Sequence, residues 1–131
     1  MVDPCTPVRT VLADDEPAVL DALVGLFASA ADQVQVVATA SSGDELVEAI
    51  ARHAPELVVT DVHMPNGGEA LFDRLGALDP KPVVIAVSGI ASATLRRRIT
   101  SAGADRLLRK GLDDPLSAAM ALLSPPEPTE I

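Results

Sequence analysis

Five side chains that could carry out chemistry each follow an apolar run in this 131-residue sequence. Asp14 and Asp15 follow the first run, Asp61 the third, Ser88 the fourth and Lys110 the fifth. If these runs were neighbouring strands, the grouped carboxylates would repel one another until a proton or a cation relieved them. Carboxylate oxygens of this kind suit Mg²⁺, which keeps several waters and also accepts phosphate oxygens.

The same residues could transfer a phosphoryl group. A carboxylate can act as a nucleophile toward phosphorus and form an aspartyl phosphate, a transfer that needs mainly positioning and charge neutralisation. Lys110 could supply positive charge, and Ser88 could donate a hydrogen bond to a phosphoryl oxygen. Each residue also has an ordinary alternative, since Asp15 could cap a helix, Ser88 could shape a turn, Asp61 could cap its loop and Lys110 could be solvated.

The surrounding sequence alternates strand-like apolar runs with helix-like amphipathic stretches, and it contains no internal repeat. The predicted strands cover residues 8–13, 34–40, 57–60, 82–87 and 107–108. The predicted helices begin at Glu16-Pro17, at a capping box formed by Ser42 and Glu45, near Leu71, near Leu95 and at Asp114-Pro115. Mostly continuous apolar strands indicate a parallel sheet buried on both faces, and right-handed crossovers favour a doubly wound α/β fold.

In such a sheet the carboxyl ends of all strands lie on one edge, where ligands bind. We therefore expect Asp14, Asp15, Asp61, Ser88 and Lys110 to gather in one crevice. The second predicted strand, 34–40, offers no comparable side chain, as fits an edge strand away from the site. The gathering of all five at one edge favours a functional site over five unrelated structural roles.

Composition limits the classes of function. The net charge of −9 argues against direct nucleic-acid binding. The single cysteine, Cys5, cannot form an internal disulfide, which fits a reducing cytoplasm. No apolar run reaches the ~20 residues that span a bilayer, and no signal peptide is visible, so we expect no membrane contact. We predict one domain at 8–123, a flexible N-terminus at 1–7 and a Pro-rich tail or linker at 124–131.

Positive charge is concentrated in one segment, because residues 96–110 carry six Lys or Arg against one Asp. The run Arg96, Arg97 and Arg98, followed by Arg106, could be a solvated helix face or a surface that docks a partner.

Four motifs in this order and spacing resemble the response-regulator receiver family of two-component signalling. They are Val-Leu-Ala-Asp-Asp-Glu at 11–16, Thr-Asp-Val-His-Met-Pro at 60–65, Val-Ser-Gly at 87–89, and Gly-Ala at 103–104 leading to Lys110. The resemblance covers about residues 8–123. It implies a (βα)5 flavodoxin-like three-layer sandwich with strand order 2-1-3-4-5.

The resemblance also implies roles for individual residues. Asp61 would be the phosphoacceptor, and its donor would be a phosphohistidine on a sensor kinase. Asp14 and Asp15 would hold Mg²⁺, with Asp15 favoured as the direct ligand, together with Asp61 and the backbone carbonyl of His63. Mn²⁺ would substitute for Mg²⁺. Ser88 would be the switch hydroxyl, and Lys110 would pair with phosphate.

The sequence departs from the family pattern at four places. Leu107 stands where the family usually has Tyr or Phe, so the usual inward swing of an aromatic ring cannot occur. Gly111 replaces a common Pro after Lys110, as in receivers joined to helix-turn-helix effectors, and we expect no cis peptide there. The loop after Pro65 looks two residues shorter than usual. His63 and Ile90 occupy positions that border the path of the hydrolytic water.

We expect bulky Ile90 to slow self-dephosphorylation by crowding that path. The alternative is that the side chains of His63 and Ile90 merely face solvent. A small polar residue in place of Ile90 should shorten the phosphoryl lifetime if crowding is the cause.

Three functions remain open at this point. The first is a phosphorylation-controlled switch with slow chemistry on itself, which is not a metabolic enzyme. It would contact a homodimer partner or an effector through the face of the fourth helix, fifth strand and fifth helix. The second is a phosphorylation-independent interaction module, favoured by Leu107 and the short loop. The third is an enzyme, disfavoured because the Asp-x-Asp, G-x-G-x-x-G and P-loop patterns are missing.

Overall fold

The structure is a computed structural model that describes residues 6–90 and 92–123. The predicted tail at 124–131 lies outside the described residues, as do Cys5 and the other residues of 1–5. Five strands form one parallel sheet: β1 (Val8–Ala13), β2 (Val34–Ala40), β3 (Leu57–Asp61), β4 (Val83–Ser88) and β5 (Arg106–Arg109). Five helices alternate with them: α1 (Pro17–Ala28), α2 (Gly43–His53), α3 (Gly68–Gly76), α4 (Ala93–Ala102) and α5 (Pro115–Leu123).

The strand order is β2-β1-β3-β4-β5, which confirms the predicted flavodoxin-like topology. All four neighbouring pairs are parallel, and β2 is an edge strand as predicted. Among the described residues, no helix has the length and apolar character needed to cross a bilayer.

The bounds of β1 and β2 match the predicted ones, and the ends of β3, β4 and β5 differ by one residue each where they differ. The ladder continues into the polar residues that we expected just beyond the strands, since Asp61 pairs with Val87 and Ser88 pairs with Arg109. At the other end, β4 begins at Val83 instead of Pro82 because proline has no N–H to donate. Asp61 and Ser88 are thus held by the sheet itself.

The helix starts follow local side-chain chemistry. Pro17 occupies the first turn of α1, and Glu16 at the N-cap position makes no capping bond through its side chain. The alternative of Asp15 as the N-cap is therefore wrong. Ser42 caps α2 by accepting from the Glu45 backbone N–H at 3.1 Å, as the capping box predicted.

The core consists of two apolar layers, one on each face of the sheet. One layer lies under α2, α3 and α4 and contains Phe72. The other lies under α1 and α5 and contains Phe27. Consecutive strand residues alternate between the layers, so Val11 belongs to the first and Leu12 to the second. Burial on both faces explains why the strands read as continuous apolar runs.

Candidate functional site

The carboxyl edge of the sheet brings together the side chains that the sequence singled out. Asp14 follows the last residue of β1, Asp61 and Ser88 are the last residues of β3 and β4, and Lys110 follows β5 directly. Because the three central strands stop at this edge, their ends form the floor of a crevice. β2 contributes no polar side chain to it.

Three carboxylates lie close together in the crevice. One oxygen from each of Asp14, Asp15 and Asp61 lies within 4.8 Å of the other two. Asp14 and Asp61 are buried, with 2% and 4% of their surface exposed, whereas Asp15 is exposed. A set of three oxygen donors that opens to solvent on one side fits a hard cation that retains waters, such as Mg²⁺.

Lys110 is the counter-ion of this cluster and is not a freely solvated lysine. Its ammonium nitrogen lies 2.9 Å from Asp14, 3.3 Å from Glu16 and 3.5 Å from Asp61. Burial alone would lower the pKa of Lys110, but the hydrogen bond that Lys110 donates to Asp14 and the charge of Asp61 together raise it. Lys110 therefore stays charged and neutralises part of the carboxylate repulsion.

Sequence reasoning gave Glu16 no role, although it belongs to the quoted acidic motif. Its carboxylate accepts a hydrogen bond from Lys110 at 3.3 Å, while its backbone N–H donates to Asp14 Oδ1 at 2.9 Å. Glu16 thus orients both Asp14 and Lys110. The signal that could have revealed it is the third consecutive acid directly before a Pro-initiated helix.

The surroundings of Asp61 make its carboxyl harder to ionise than an ordinary aspartate and so raise its pKa. Burial raises the pKa of Asp61, and the charges of Asp14 and Asp15 raise it further. The hydrogen bond from the His63 backbone N–H, at 3.2 Å, and the charge of Lys110 act in the opposite direction without cancelling the rise. A bound cation would relieve the same repulsion between carboxylates that protonation of Asp61 relieves.

The hydroxyl of Ser88 is fully buried and fully engaged. It donates to the Ile90 carbonyl at 2.6 Å and accepts from the Ile90 backbone N–H at 3.0 Å. Ser88 thus shapes the turn after β4, as the ordinary alternative supposed. Its oxygen also lies 3.1 Å from Nε2 of His63, a side-chain contact that sequence reasoning missed. The spacing of His63 two residues after Asp61, at the same sheet edge, was the available signal.

The positions that depart from the family pattern have clear structural settings. Leu107 is 4% exposed and packs into the core layer under α4. Gly111 has a φ of 80°, a left-handed conformation that a proline ring forbids. The loop after Pro65 places Asn66, and Gly68 at the start of α3, at positive φ. Ile90, by contrast, is 67% exposed.

The basic residues that we predicted as an interface divide between two grooves. Arg96 on α4 shares one groove with Arg106, Leu107 and Arg109 of β5. Arg97 and Arg98 follow Arg96 on α4 and project from a different side of the helix, since successive helical residues are rotated about the axis. They share another groove with two acidic side chains of α3, Glu69 and Asp73. All four predicted interface arginines are exposed.

A cleft of about 600 Å³ leads away from the carboxylates between α1 and the loop after β5. Its inner end is formed by Asp14, Asp61 and Lys110, and its outer walls are mostly apolar. Leu112 stands at this cleft with 72% of its surface exposed, which is unusual for a large aliphatic side chain.

A family model described as "Response regulator receiver domain" matches residues 10–120 of the chain. A protein-glutamate methylesterase/protein-glutamine glutaminase from Nitrosospira multiformis is 36% identical over 84 residues, which are 63% of this chain and 23% of that protein. The chain therefore spans about a quarter of the length of the curated relatives that it matches.

Solved structures agree with the topology. The signal receiver domain of NarL from Mycobacterium tuberculosis has a TM-score of 0.80 at 24% identity, covering 89% of this chain and 94% of that one. A CheX-CheY-BeF3-Mg complex from Borrelia burgdorferi has a TM-score of 0.82 at 23% identity, covering 91% of both chains. At these identities the likeness establishes the fold.

Proposed function

Because this chain belongs to the response regulator receiver domain family, we propose that it is a phosphorylation-controlled switch of a two-component system with Asp61 as its phosphoacceptor. One observation carries the proposal. Asp61 is buried, with carboxylate oxygens of Asp14 and Asp15 within 4.8 Å and the Lys110 ammonium nitrogen 3.5 Å away. A carboxylate in this setting has both a cation site and a fixed positive charge beside it, as phosphoryl transfer requires.

The donor would be a phosphohistidine of a sensor histidine kinase. An oxygen of Asp61 attacks phosphorus, so that an O–P bond forms while the N–P bond of the donor breaks. The imidazole nitrogen keeps the bonding electron pair and takes up a proton. Asp61 must be ionised to attack, which is why the charges around it matter.

Mg²⁺ would neutralise charge on the transferred group, with Mn²⁺ as a substitute. The residues that would hold it are Asp14, Asp15 and Asp61, with the backbone carbonyl of His63 as a further oxygen ligand. The clustering of the three carboxylates within 4.8 Å supports this assignment, as does a donor set made of oxygen alone.

Lys110 would exchange its hydrogen bonds to Asp14 and Glu16 for hydrogen bonds to the phosphoryl oxygens, since an ammonium can rotate among several acceptors. Ser88 would turn its hydroxyl onto the phosphoryl group, giving up its present bond to the Ile90 carbonyl. This exchange of partners is the local event that would switch the domain, and Leu107 would repack with it in place of an aromatic ring.

The kinase would dock over the cleft between α1 and the loop after β5. The helix α1 carries a single charge, Asp21, and its neighbour α5 carries none. This weakly charged surface, with exposed Leu112 at its edge, leads directly to Asp61. A helix of the donor could therefore pack there and place its phosphohistidine at the site.

The output surface would be the face of α4, β5 and α5, used by a second copy or an effector. The groove lined by Arg96 and Arg106 supports an acidic contact there. Reversal of charge at Arg96 and Arg106 should abolish phosphorylation-dependent association, while reversal at Arg97, which lines the other groove, should leave it intact. Equal effects of both changes would contradict this placement.

Mass spectrometry after treatment with acetyl phosphate and Mg²⁺ tests the function. We expect a base-labile phosphoryl adduct that needs Mg²⁺ and disappears in Asp61→Asn. Asp21→Asn, an exposed acid on α1, is the matched control and should retain the adduct. An adduct that survives Asp61→Asn would overturn the assignment of the phosphoacceptor.

A phosphorylation-independent interaction module is the second candidate, and the observation that favours it is Leu107. A buried leucine lacks the aromatic ring through which the family usually couples site and output face. Failure of both acetyl phosphate labelling and Mg²⁺ binding in the same protein would favour this candidate.

A further inference from the structure

The hydrogen bonds around Ser88 determine which way each proton points. A serine hydroxyl has one proton to donate and two lone pairs to accept with. Among the described residues, three polar atoms lie within hydrogen-bond distance of Ser88 Oγ: the Ile90 carbonyl oxygen at 2.6 Å, the Ile90 backbone nitrogen at 3.0 Å and His63 Nε2 at 3.1 Å.

The shortest of these contacts must contain the serine proton. Two oxygens at 2.6 Å repel each other unless a proton lies between them, so the hydroxyl donates to the Ile90 carbonyl. Oγ then accepts from the Ile90 N–H with one lone pair. The second lone pair remains for His63, whose Nε2 must therefore carry a hydrogen and act as the donor.

We propose that His63 is a positioning residue whose Nε2–H holds the Ser88 hydroxyl in its unphosphorylated orientation. This inference rests on the proposed function, because it assigns His63 a part in the switch at Asp61. Both contacts come from one residue in the short loop after β3. The His63 backbone N–H donates to Asp61 Oδ1, and the His63 ring hydrogen-bonds to Ser88 Oγ. The same residue thus contacts both the phosphoacceptor and the switch hydroxyl.

The consequence is a bias against the switched state. To donate to a phosphoryl oxygen, the Ser88 hydroxyl must break its hydrogen bond to the Ile90 carbonyl. This movement also disturbs the hydrogen bond that Ser88 accepts from His63. A side chain at position 63 without a donor removes one of the bonds that oppose this movement. Loss of one ordinary hydrogen bond corresponds to a roughly 2- to 10-fold change in the equilibrium.

Nuclear magnetic resonance of the imidazole nitrogens tests the hydrogen bond itself, without phosphorylation. The spectra are recorded at about pH 8.5, well above the ordinary histidine pKa of about 6.5. His53, the other histidine of the chain, lies on α2 and serves as the internal reference.

In the wild-type chain we expect a larger fraction of the Nε2-protonated tautomer in His63 than in His53. In Ser88→Ala we expect the two histidines to show equal fractions of this tautomer. An unprotonated Nε2 on His63, or a fraction that Ser88→Ala leaves unchanged, would overturn the proposal.

Binding of beryllofluoride, a phosphoryl mimic, in the presence of Mg²⁺ tests the bias. His63→Leu should bind it roughly 2- to 10-fold more tightly than the wild-type chain. His63→Gln should restore wild-type affinity, because its amide nitrogen can donate from a position similar to that of Nε2. Unchanged or weaker binding by His63→Leu would overturn the positioning role. If the wild-type chain bound no beryllofluoride, the proposed function would fail, while the tautomer measurement would still decide the hydrogen bond.

Discussion

The ammonium nitrogen of Lys110 lies 2.9 Å from a carboxylate oxygen of Asp14 and so links the ends of β5 and β1. These strands are separated in the sheet by β3 and β4, so the lysine spans the whole crevice. Asp14 is 2% exposed and the Lys110 side chain 22% exposed, which shields the pair from solvent screening. The domain therefore depends on this pair when no cation is bound.

Lys110→Met should destabilise the metal-free domain by about 2 kcal/mol, because it leaves buried carboxylates without their counter-ion. Urea denaturation followed by circular dichroism measures this. Folding raises the pKa of Lys110 above its ordinary value of 10.5. The stability that the charged lysine contributes is therefore fully present below pH 10.5 and is lost as the pH rises through the pKa of Lys110 in the folded chain.

The exposed pair of Arg52 and Glu48 provides the control for that measurement, because both side chains are 71% exposed. Arg52→Met should change stability by less than about 0.5 kcal/mol. Equal losses of unfolding free energy in Lys110→Met and Arg52→Met would show that the buried Lys110 pair stabilises the domain no more than an exposed pair does.

Asp61→Asn should stabilise the metal-free domain by about 1 kcal/mol at neutral pH, which raises the melting temperature by about 4 °C. The reason is that burial and the neighbouring carboxylates raise the pKa of Asp61. A carboxyl of raised pKa contributes stability that is fully present below its unfolded pKa, near 3.8, and is lost as the pH rises through the folded value.

The advantage of Asp61→Asn over the wild-type chain should therefore grow as the pH is raised from about 4 to 7. Mg²⁺ should raise the melting temperature of the wild-type chain much more than that of the variant, because ligands stabilise the state that binds them. A variant less stable than the wild-type chain at pH 7 would contradict this account of Asp61.

Mg²⁺ binding should weaken as the pH falls through the raised pKa of Asp61, since protons and the cation compete for the same oxygens. Mildly acidic solutions should show proton release on binding. Isothermal titration calorimetry in buffers of different ionisation enthalpy measures it, and the chain has no Trp or Tyr for a fluorescence titration. Proton release of the same size in Asp61→Asn would assign it to another group.

Gly103→Ala should cost about 3 kcal/mol, because a Cβ there would lie 2.5 Å from the Phe72 carbonyl oxygen and 2.8 Å from the Cα of Gly76. The α3 and α4 helices can approach this closely only without those side-chain atoms. Thermal denaturation of Gly103→Ala measures the cost.

Gly25→Ala is the control, since Gly25 lies within α1 and a Cβ there would have no neighbouring heavy atom within 4 Å among the described residues. It should stabilise the domain by about 0.5–1 kcal/mol through higher helix propensity. A neutral Gly103→Ala would mean that α3 and α4 separate without penalty.

The sequence by itself determined the fold and the membership of the crevice. Continuous apolar runs predicted buried parallel strands, and each reactive residue stood at a run's end, so topology alone brought Asp14, Asp61, Ser88 and Lys110 to one edge. The local rules also worked at Ser42 and Pro17, because capping and proline geometry act within a few residues.

Only the tertiary structure decided the contacts between side chains from different strands. The bond between His63 and Ser88, the place of Glu16 beside Lys110 and the division of the arginine run between two grooves depend on side-chain directions in space. Sequence periodicity places a residue on an element, whereas a hydrogen bond requires two atoms within about 3 Å. Such positions follow from how the strands register and how the helices pack, and local sequence patterns do not contain them.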